Sequence, residues 1–134
     1  MTLTVKRLDH VNVRTADLDR MTAWYETMLG MAKGPRPDFS FSGAWLYIGD
    51  DPVIHLVGVD AHPEADDPTL RLEHFALSAT GLKALISRAE AAGEHCVVRR
   101  VPGFPIVQVN LWDPDGNHLH VDFDIAEADG LDLR

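Results

Sequence analysis

Two periodicities alternate along this chain, and the sequence of them occurs twice. Residues 8–13, LDHVNV, alternate with period two and predict a strand. Leu18, Met21, Trp24, Tyr25 and Met28 then recur at helical spacing. Asp17 stands where an N-cap belongs, and Gly30 suits the left-handed residue that ends a helix. AWLYIG (44–49) and PVIHLV (52–57) predict two more strands around the turn signal GDDP (49–52). Pro35 and Pro37 break the pattern over 31–41, so the strand expected there is short. The second round opens with LEHFAL (72–77). A helix follows from Thr80, the expected N-cap, through Leu82, Leu85, Ile86 and Ala89 to Gly93. Three strands then follow: HCVVRRV (95–101), QVNLW (108–112) and NHLHVDF (117–123), the last after the turn DPDGN (113–117).

The two rounds align residue by residue. Leu8, Asp9 and His10 correspond to Leu72, Glu73 and His74 at an offset of 64, and His55 corresponds to His120 at 65. The predicted fold is α+β: two βαβββ modules, each opening and closing on a strand that carries a histidine. The chain divides into a first module (5–59), an acidic, proline-containing linker (60–70), a second module (71–124) and an acidic tail (125–134) expected to be loose. All of it reads as one domain, 1–134, whose length suits a single fold.

Charge narrows the partners. Twelve Lys and Arg against 21 Asp and Glu give a net −9. A protein that neutralises nucleic-acid phosphates or docks on anionic membranes needs a basic face, so neither partner is expected. No apolar run approaches the roughly 18 residues of a membrane span. MTLTVKRLDH has no hydrophobic signal core, so a cytoplasmic location is expected. The lone Cys96 rules out an intrachain disulfide and a Cys-rich zinc site.

The candidate chemistry lies in the histidines, seven in 134 residues. Strand alternation puts His10 and Asn12 on one face and Val11 and Val13 on the other. His74 opposes Phe75 in the same way, and His118, His120 and Asp122 oppose Leu119, Val121 and Phe123. Helices are expected over the apolar faces, which leaves the histidines on the concave side of a curved sheet. Four histidines at repeat-equivalent places, His10, His55, His74 and His120, read either as a shared metal site or as half-exposed polar side chains. His62 and His95 read as surface residues, and His118 as a residue at the rim. Asp122 either orients an imidazole from behind, acts as a base or is solvated at the strand end, and it counts with Asn12 and His118 among the candidate pocket residues. Trp45 and Tyr47 share a strand face and either line the site or pack in the core, with Phe39 and Phe41 nearby. Gln108 and Asn110 are candidate inward polar contacts. Residues 99–105, RRVPGFP, are a candidate lid in which Arg99 or Arg100 holds a substrate carboxylate.

The segments LDHVNVRTADLDRMTAWYETMLGM (8–31), IHLV (54–57), LEHFAL (72–77) and WDPDGNHLHVDF (112–123) together resemble the vicinal oxygen chelate superfamily. That superfamily includes glyoxalase I, bleomycin-resistance proteins, fosfomycin-resistance enzymes and extradiol dioxygenases. The resemblance spans roughly residues 5–124. It implies an open, incomplete barrel around a central cavity and a divalent metal (zinc, iron, manganese, nickel or cobalt). The ligands it implies map onto His10, His55, His74 and His120. It also implies a small-molecule substrate and a homodimer, with modules pairing within or between subunits. The family's usual last ligand is Glu, where this chain has His120. Glyoxalase I uses Glu where this chain has His55. Extradiol and fosfomycin enzymes use two His and one Glu. The function implied is a metal-dependent lyase, isomerase or dioxygenase acting on a substrate with two vicinal oxygens. The alternative is a non-catalytic ligand- or drug-binding protein of the bleomycin-resistance type. Such proteins generally lack the metal ligands, and the four histidines favour the enzyme.

Overall fold

The computed structural model describes residues 2–63 and 70–133. Part of the expected linker, 64–69, therefore lies outside the described residues. The chain resolves into two compact units, Met1–Pro63 and Glu64–Arg134.

The first unit runs β1 (Val11–Thr15), α1 (Leu18–Leu29), β2 (Ala32–Gly34), β3 (Gly43–Ile48) and β4 (Asp51–Gly58). Its open mixed sheet has the order β1-β4-β3-β2, with β1 parallel to β4 and the other pairs antiparallel. The ends of α1 are where the sequence puts them. The Asp17 carboxylate accepts from the Arg20 N–H at 3.2 Å. Gly30 turns the chain at φ 67° and donates to the Glu26 carbonyl. Met21, Trp24, Tyr25 and Met28 form the buried stripe of α1, which packs on β3 and β4. The matching sheet residues Ala44, Leu46, Ile54 and Leu56 are almost wholly out of solvent. β2 is only three residues long, as the two prolines dictate. Its Gly34 is required by packing, because a Cβ there would stand 2.7 Å from the Tyr47 ring.

The second unit repeats the plan with β5 (His74–Ser78), α2 (Leu82–Ala91), β6 (Cys96–Arg100), β7 (Ile106–Trp112) and β8 (His118–Asp124), in the order β5-β8-β7-β6. Leu119, Val121, Phe123, Val107, Val109 and Leu111 are buried, as are Leu82, Leu85 and Ala89 of α2. Both units are thus four-stranded mixed sheets with one α-helix each, the expected α+β class. No helix among the described residues is long and apolar enough to cross a membrane.

Three local expectations need correcting. The first and fifth strands start later than the alternation suggests. Pairing of β1 begins at Val11 opposite Ile54, while Asp51 and Pro52 of β4 pair with β3. Leu8 and Leu72, equivalent in the repeat, consequently stay about three-quarters exposed. Thr80 is not the N-cap of α2. The cap is Gly81, at φ 98°. The free N–H groups are met instead by Glu127, whose Oε1 accepts from Gly81 at 2.8 Å and Leu82 at 3.1 Å. Nor is the tail loose throughout. Ile125–Ala128 form a 3-10 helix, capped by the Asp124 carboxylate, with Ala128 buried.

Candidate functional site

Cross-strand register decides which side chains share a face. In the first unit Asn12 and Trp45 both pair with His55. His10, just ahead of β1, lies on this side as well: its ring stacks on His55 at 3.8 Å with planes 9° apart. Trp45 covers the other side of His55 at 4.0 Å and 13°. Trp45 therefore belongs to the histidine face and not to the core under α1. Phe39 reaches Trp45 at 6.5 Å and stacks on Phe41, and the Arg36 guanidinium lies about 5 Å from both phenyl rings. Tyr47 shares the side of Trp45, but its hydroxyl donates to the Pro35 carbonyl and its ring covers Gly34. Asn12 is exposed beside His55.

In the second unit, parallel pairing of β5 with β8 sets His74 opposite His118 and Ala76 opposite His120. β7 adds Trp112 opposite His118, Asn110 opposite His120 and Gln108 opposite Asp122. The His74 ring lies 4.7 Å from His120 and 5.1 Å from His118. Trp112 stacks between His118 and the exposed His95, each at 5.0 Å. The Asn110 amide is committed, with Nδ2 donating to the Val97 carbonyl and Oδ1 accepting from His118 Nε2. Arg99 pairs with Gln108 and so belongs to the histidine face. Arg100 points the other way, into a cleft of about 460 Å³ that it lines with Ile125, Asp129 and Leu131. His62 is exposed.

Each of the four repeat-equivalent histidines has one ring nitrogen held. His10 Nδ1 donates to Asp9 at 2.7 Å, and His74 Nδ1 donates to Glu73. His120 Nδ1 donates to Asp122 at 2.6 Å. His55 donates through Nε2 to the Pro52 carbonyl at 2.9 Å. A neutral imidazole that donates at one nitrogen has a lone pair at the other, the form in which it binds a metal. Burial holds the His55 imidazole below its ordinary pKa, and the neighbouring His10 opposes a second positive charge there. Asp9 is held below the usual carboxylate range chiefly by the hydrogen bond from His10. Glu73 is held there by those from His74 and His118. Cys96, on the opposite face of β6, has its thiol pushed up by burial.

Alternation alone does not reveal a cluster built on Glu73. Its carboxylate also accepts from His118 Nδ1 at 2.9 Å, and ligand atoms of Glu73, His74 and His118 lie within 4.8 Å of one another, a donor set able to hold a metal ion. Each nitrogen of His118 faces an acceptor, Glu73 at Nδ1 and Asn110 Oδ1 at Nε2, and only the imidazolium, with a proton on each, donates to both at once. The repeat contained the clue, since Glu73 occupies the position of Asp9.

Comparison with known proteins gives the family. A manganese-dependent 2,3-dihydroxybiphenyl 1,2-dioxygenase of Geobacillus genomosp. 3 is 28% identical over 101 residues. That match covers 73% of this chain but 31% of the relative, so the chain spans about a third of the dioxygenase's length. A glyoxylase/bleomycin resistance protein/dioxygenase domain from Frankia sp. EAN1pec superposes with a TM-score of 0.76 at 21% identity, over 90% of this chain and 99% of that one. A lactoylglutathione lyase from Agrobacterium tumefaciens superposes with a TM-score of 0.67 at 19% identity, over 96% and 100%. These solved structures share the fold. Residues 7–121 match the family model itself, and the chain belongs to the Glyoxalase/Bleomycin resistance protein/Dioxygenase superfamily.

Proposed function

We propose that the protein is a metal-dependent enzyme acting on a small molecule with two adjacent oxygens, with His10, His55, His74 and His120 as metal ligands. The observation that carries this reading is the state of those four imidazoles. Two lie together in each unit, each has one nitrogen fixed by an oxygen acceptor, and each keeps the other for coordination. The donor set fits a divalent ion of the zinc, iron, manganese, nickel or cobalt type. Such an ion, when bound, would supply Lewis-acid chelation of the two oxygens and stabilise an enolate or oxyanion.

The chain's own groups divide the remaining work. Asp122, Asp9 and Glu73 keep the protons at Nδ1 of their histidines. Being one hydrogen bond removed, these carboxylates also temper the full charge that an all-histidine ligand set leaves on an ion. Trp45, with Phe39 and Phe41 beside it, offers a flat apolar shelf beside His55 and favours an aromatic or otherwise planar substrate. Asn12 and Gln108 are the polar side chains proposed to touch substrate. Tyr47, Asn110 and His118, engaged elsewhere, shape the surroundings. The dioxygenase relative makes ring cleavage of a catechol-like substrate the leading reaction class, and the lyase neighbour makes glyoxalase-type isomerisation the next. We also propose a cytoplasmic location and a homodimer; the exposed Leu3, Val5, Leu8, Leu70 and Leu72 support the subunit interface.

The same aromatic shelf supports the second reading, a binding protein for a planar cationic compound, because π faces and a net charge of −9 attract such a ligand. Calorimetry on manganese-loaded protein separates the two readings. Catechol should bind at least about tenfold more tightly than phenol, and chelator treatment should erase the difference. Equal affinities for the two, or a preference that survives metal removal, would refute the chelating site.

A further inference from the structure

We propose that Glu73 is a positioning residue for the histidine face of the second unit: its carboxylate spans His74 and His118, fixing His74 as the Nδ1–H tautomer with Nε2 presented for coordination. The inference rests on the metal-site reading above and adds a residue that the ligand positions do not include. Three observations carry it. Glu73 accepts from Nδ1 of both His74 and His118, one oxygen to each. The span is braced from behind when His118 is the imidazolium, which alone can donate from Nδ1 to Glu73 and from Nε2 to Asn110 Oδ1 at once, while Asn110 Nδ2 donates to the Val97 carbonyl. The chain Val97–Asn110–His118–Glu73–His74 thus runs from β6 across the sheet to the first residue of β5. The device is also repeated, since Asp9 holds Nδ1 of His10 from the equivalent position.

The chemical need is specific. A free neutral histidine side chain prefers its proton on Nε2, the nitrogen that would have to coordinate. An acceptor fixed at Nδ1 reverses that preference and also sets the ring's rotation, both before any ion arrives. His74 sits at the very start of β5, half-exposed, where packing alone does not orient it. His120, by contrast, is buried and has its own acceptor in Asp122.

The test is long-range proton–nitrogen NMR of the imidazoles in 15N-labelled, chelator-treated protein at about pH 8, on wild type, Glu73→Gln and Glu73→Ala. Manganese and zinc affinities are measured on the same samples. Wild type should show His74 protonated at Nδ1. Glu73→Ala should move that proton to Nε2, leave the His120 signals unchanged, and weaken metal binding about 10- to 100-fold, while Glu73→Gln, which keeps one acceptor oxygen for one of the two imidazoles, should fall between it and wild type. His74 already protonated at Nε2 in wild type, or unaltered by Glu73→Ala, would overturn the proposal. Complete loss of metal in Glu73→Gln with the tautomer unchanged would also overturn it and make Glu73 a ligand itself. A tautomer switch in protein that binds neither ion would support the positioning role and defeat the metal reading instead.

Discussion

Replacing Asp113 tests the turn that delivers the last strand to the site. Asp113 is 4% exposed and opens the DPDGN turn between β7 and β8. Its Oδ1 accepts from Asp115 N at 3.0 Å, Asn117 N at 2.9 Å and Asn117 Nδ2 at 3.1 Å, and its Oδ2 accepts again from Asn117 Nδ2 at 2.9 Å. One carboxylate therefore gathers the polar groups of a turn whose next residue but one faces the core and whose neighbours face the histidine side. A hydrogen bond to a charged group contributes about 1.5–3 kcal/mol. The bonds here share one acceptor and are not additive, and the freed turn N–H groups regain some water. Asp113→Ala is therefore expected to cost about 2–4 kcal/mol. With a urea slope of about 2 kcal/mol/M, the unfolding midpoint should fall by roughly 1–2 M at unchanged slope. Asp113→Asn keeps one acceptor oxygen and should recover about half of the loss. Because a slip of one residue would turn His118 and His120 toward the core, the Ala variant should also bind divalent metal more weakly while still folded. A midpoint within about 0.2 M of wild type would refute this account of the turn.

Other predictions follow from the same contacts. Glu127→Ala removes the side-chain acceptor that meets the start of α2 and should cost about 1–2 kcal/mol, with faster amide exchange at Gly81 and Leu82. Glu127→Gln, which keeps an acceptor but loses the charge at the helix N-terminus, should cost less than about 1 kcal/mol. His55 titrates below its ordinary value of 6.5 in the folded protein, so between that depressed value and about 6.5 the unfolded chain binds more protons than the folded one. In chelator-treated protein its contribution should fall as pH falls through that window, and His55→Gln should flatten the profile of stability against pH from 5 to 8. An identical slope in both proteins would contradict the assigned burial of this imidazole.

Much of the molecule can be read from the sequence because the decisive features are local. Asp17 and Gly30 bracket α1 within twelve helical residues, Pro35 and Pro37 shorten β2, and an offset of 64 aligns Asp9-His10 with Glu73-His74. What alternation cannot supply is register and distance. The cap of α2 comes from Glu127, 46 residues beyond Gly81, so Thr80 looks like the cap only because it is near. Trp45 joins the histidine face because it pairs with His55 across strands, which period two leaves ambiguous between two faces. The bond between Glu73 and His118 exists because parallel pairing sets His74 opposite His118. Alternation alone separates Arg99 from Arg100, but only the pairing of Arg99 with Gln108 shows which of them joins the histidine face.

Metal content tests the proposed ligands His10, His55, His74 and His120 most directly. Wild type, His10→Ala, His55→Ala, His74→Ala, His120→Ala and the exposed control His62→Ala are purified alike, loaded with manganese or zinc, desalted and assayed by elemental analysis alongside thermal unfolding. Wild type and His62→Ala should carry stoichiometric metal, and each of the other four should show a large loss. His10→Ala, His74→Ala and His120→Ala should keep near-wild-type unfolding of the metal-free protein. Full metal in His120→Ala would remove that residue from the site, and loss of folding without loss of affinity would make it structural.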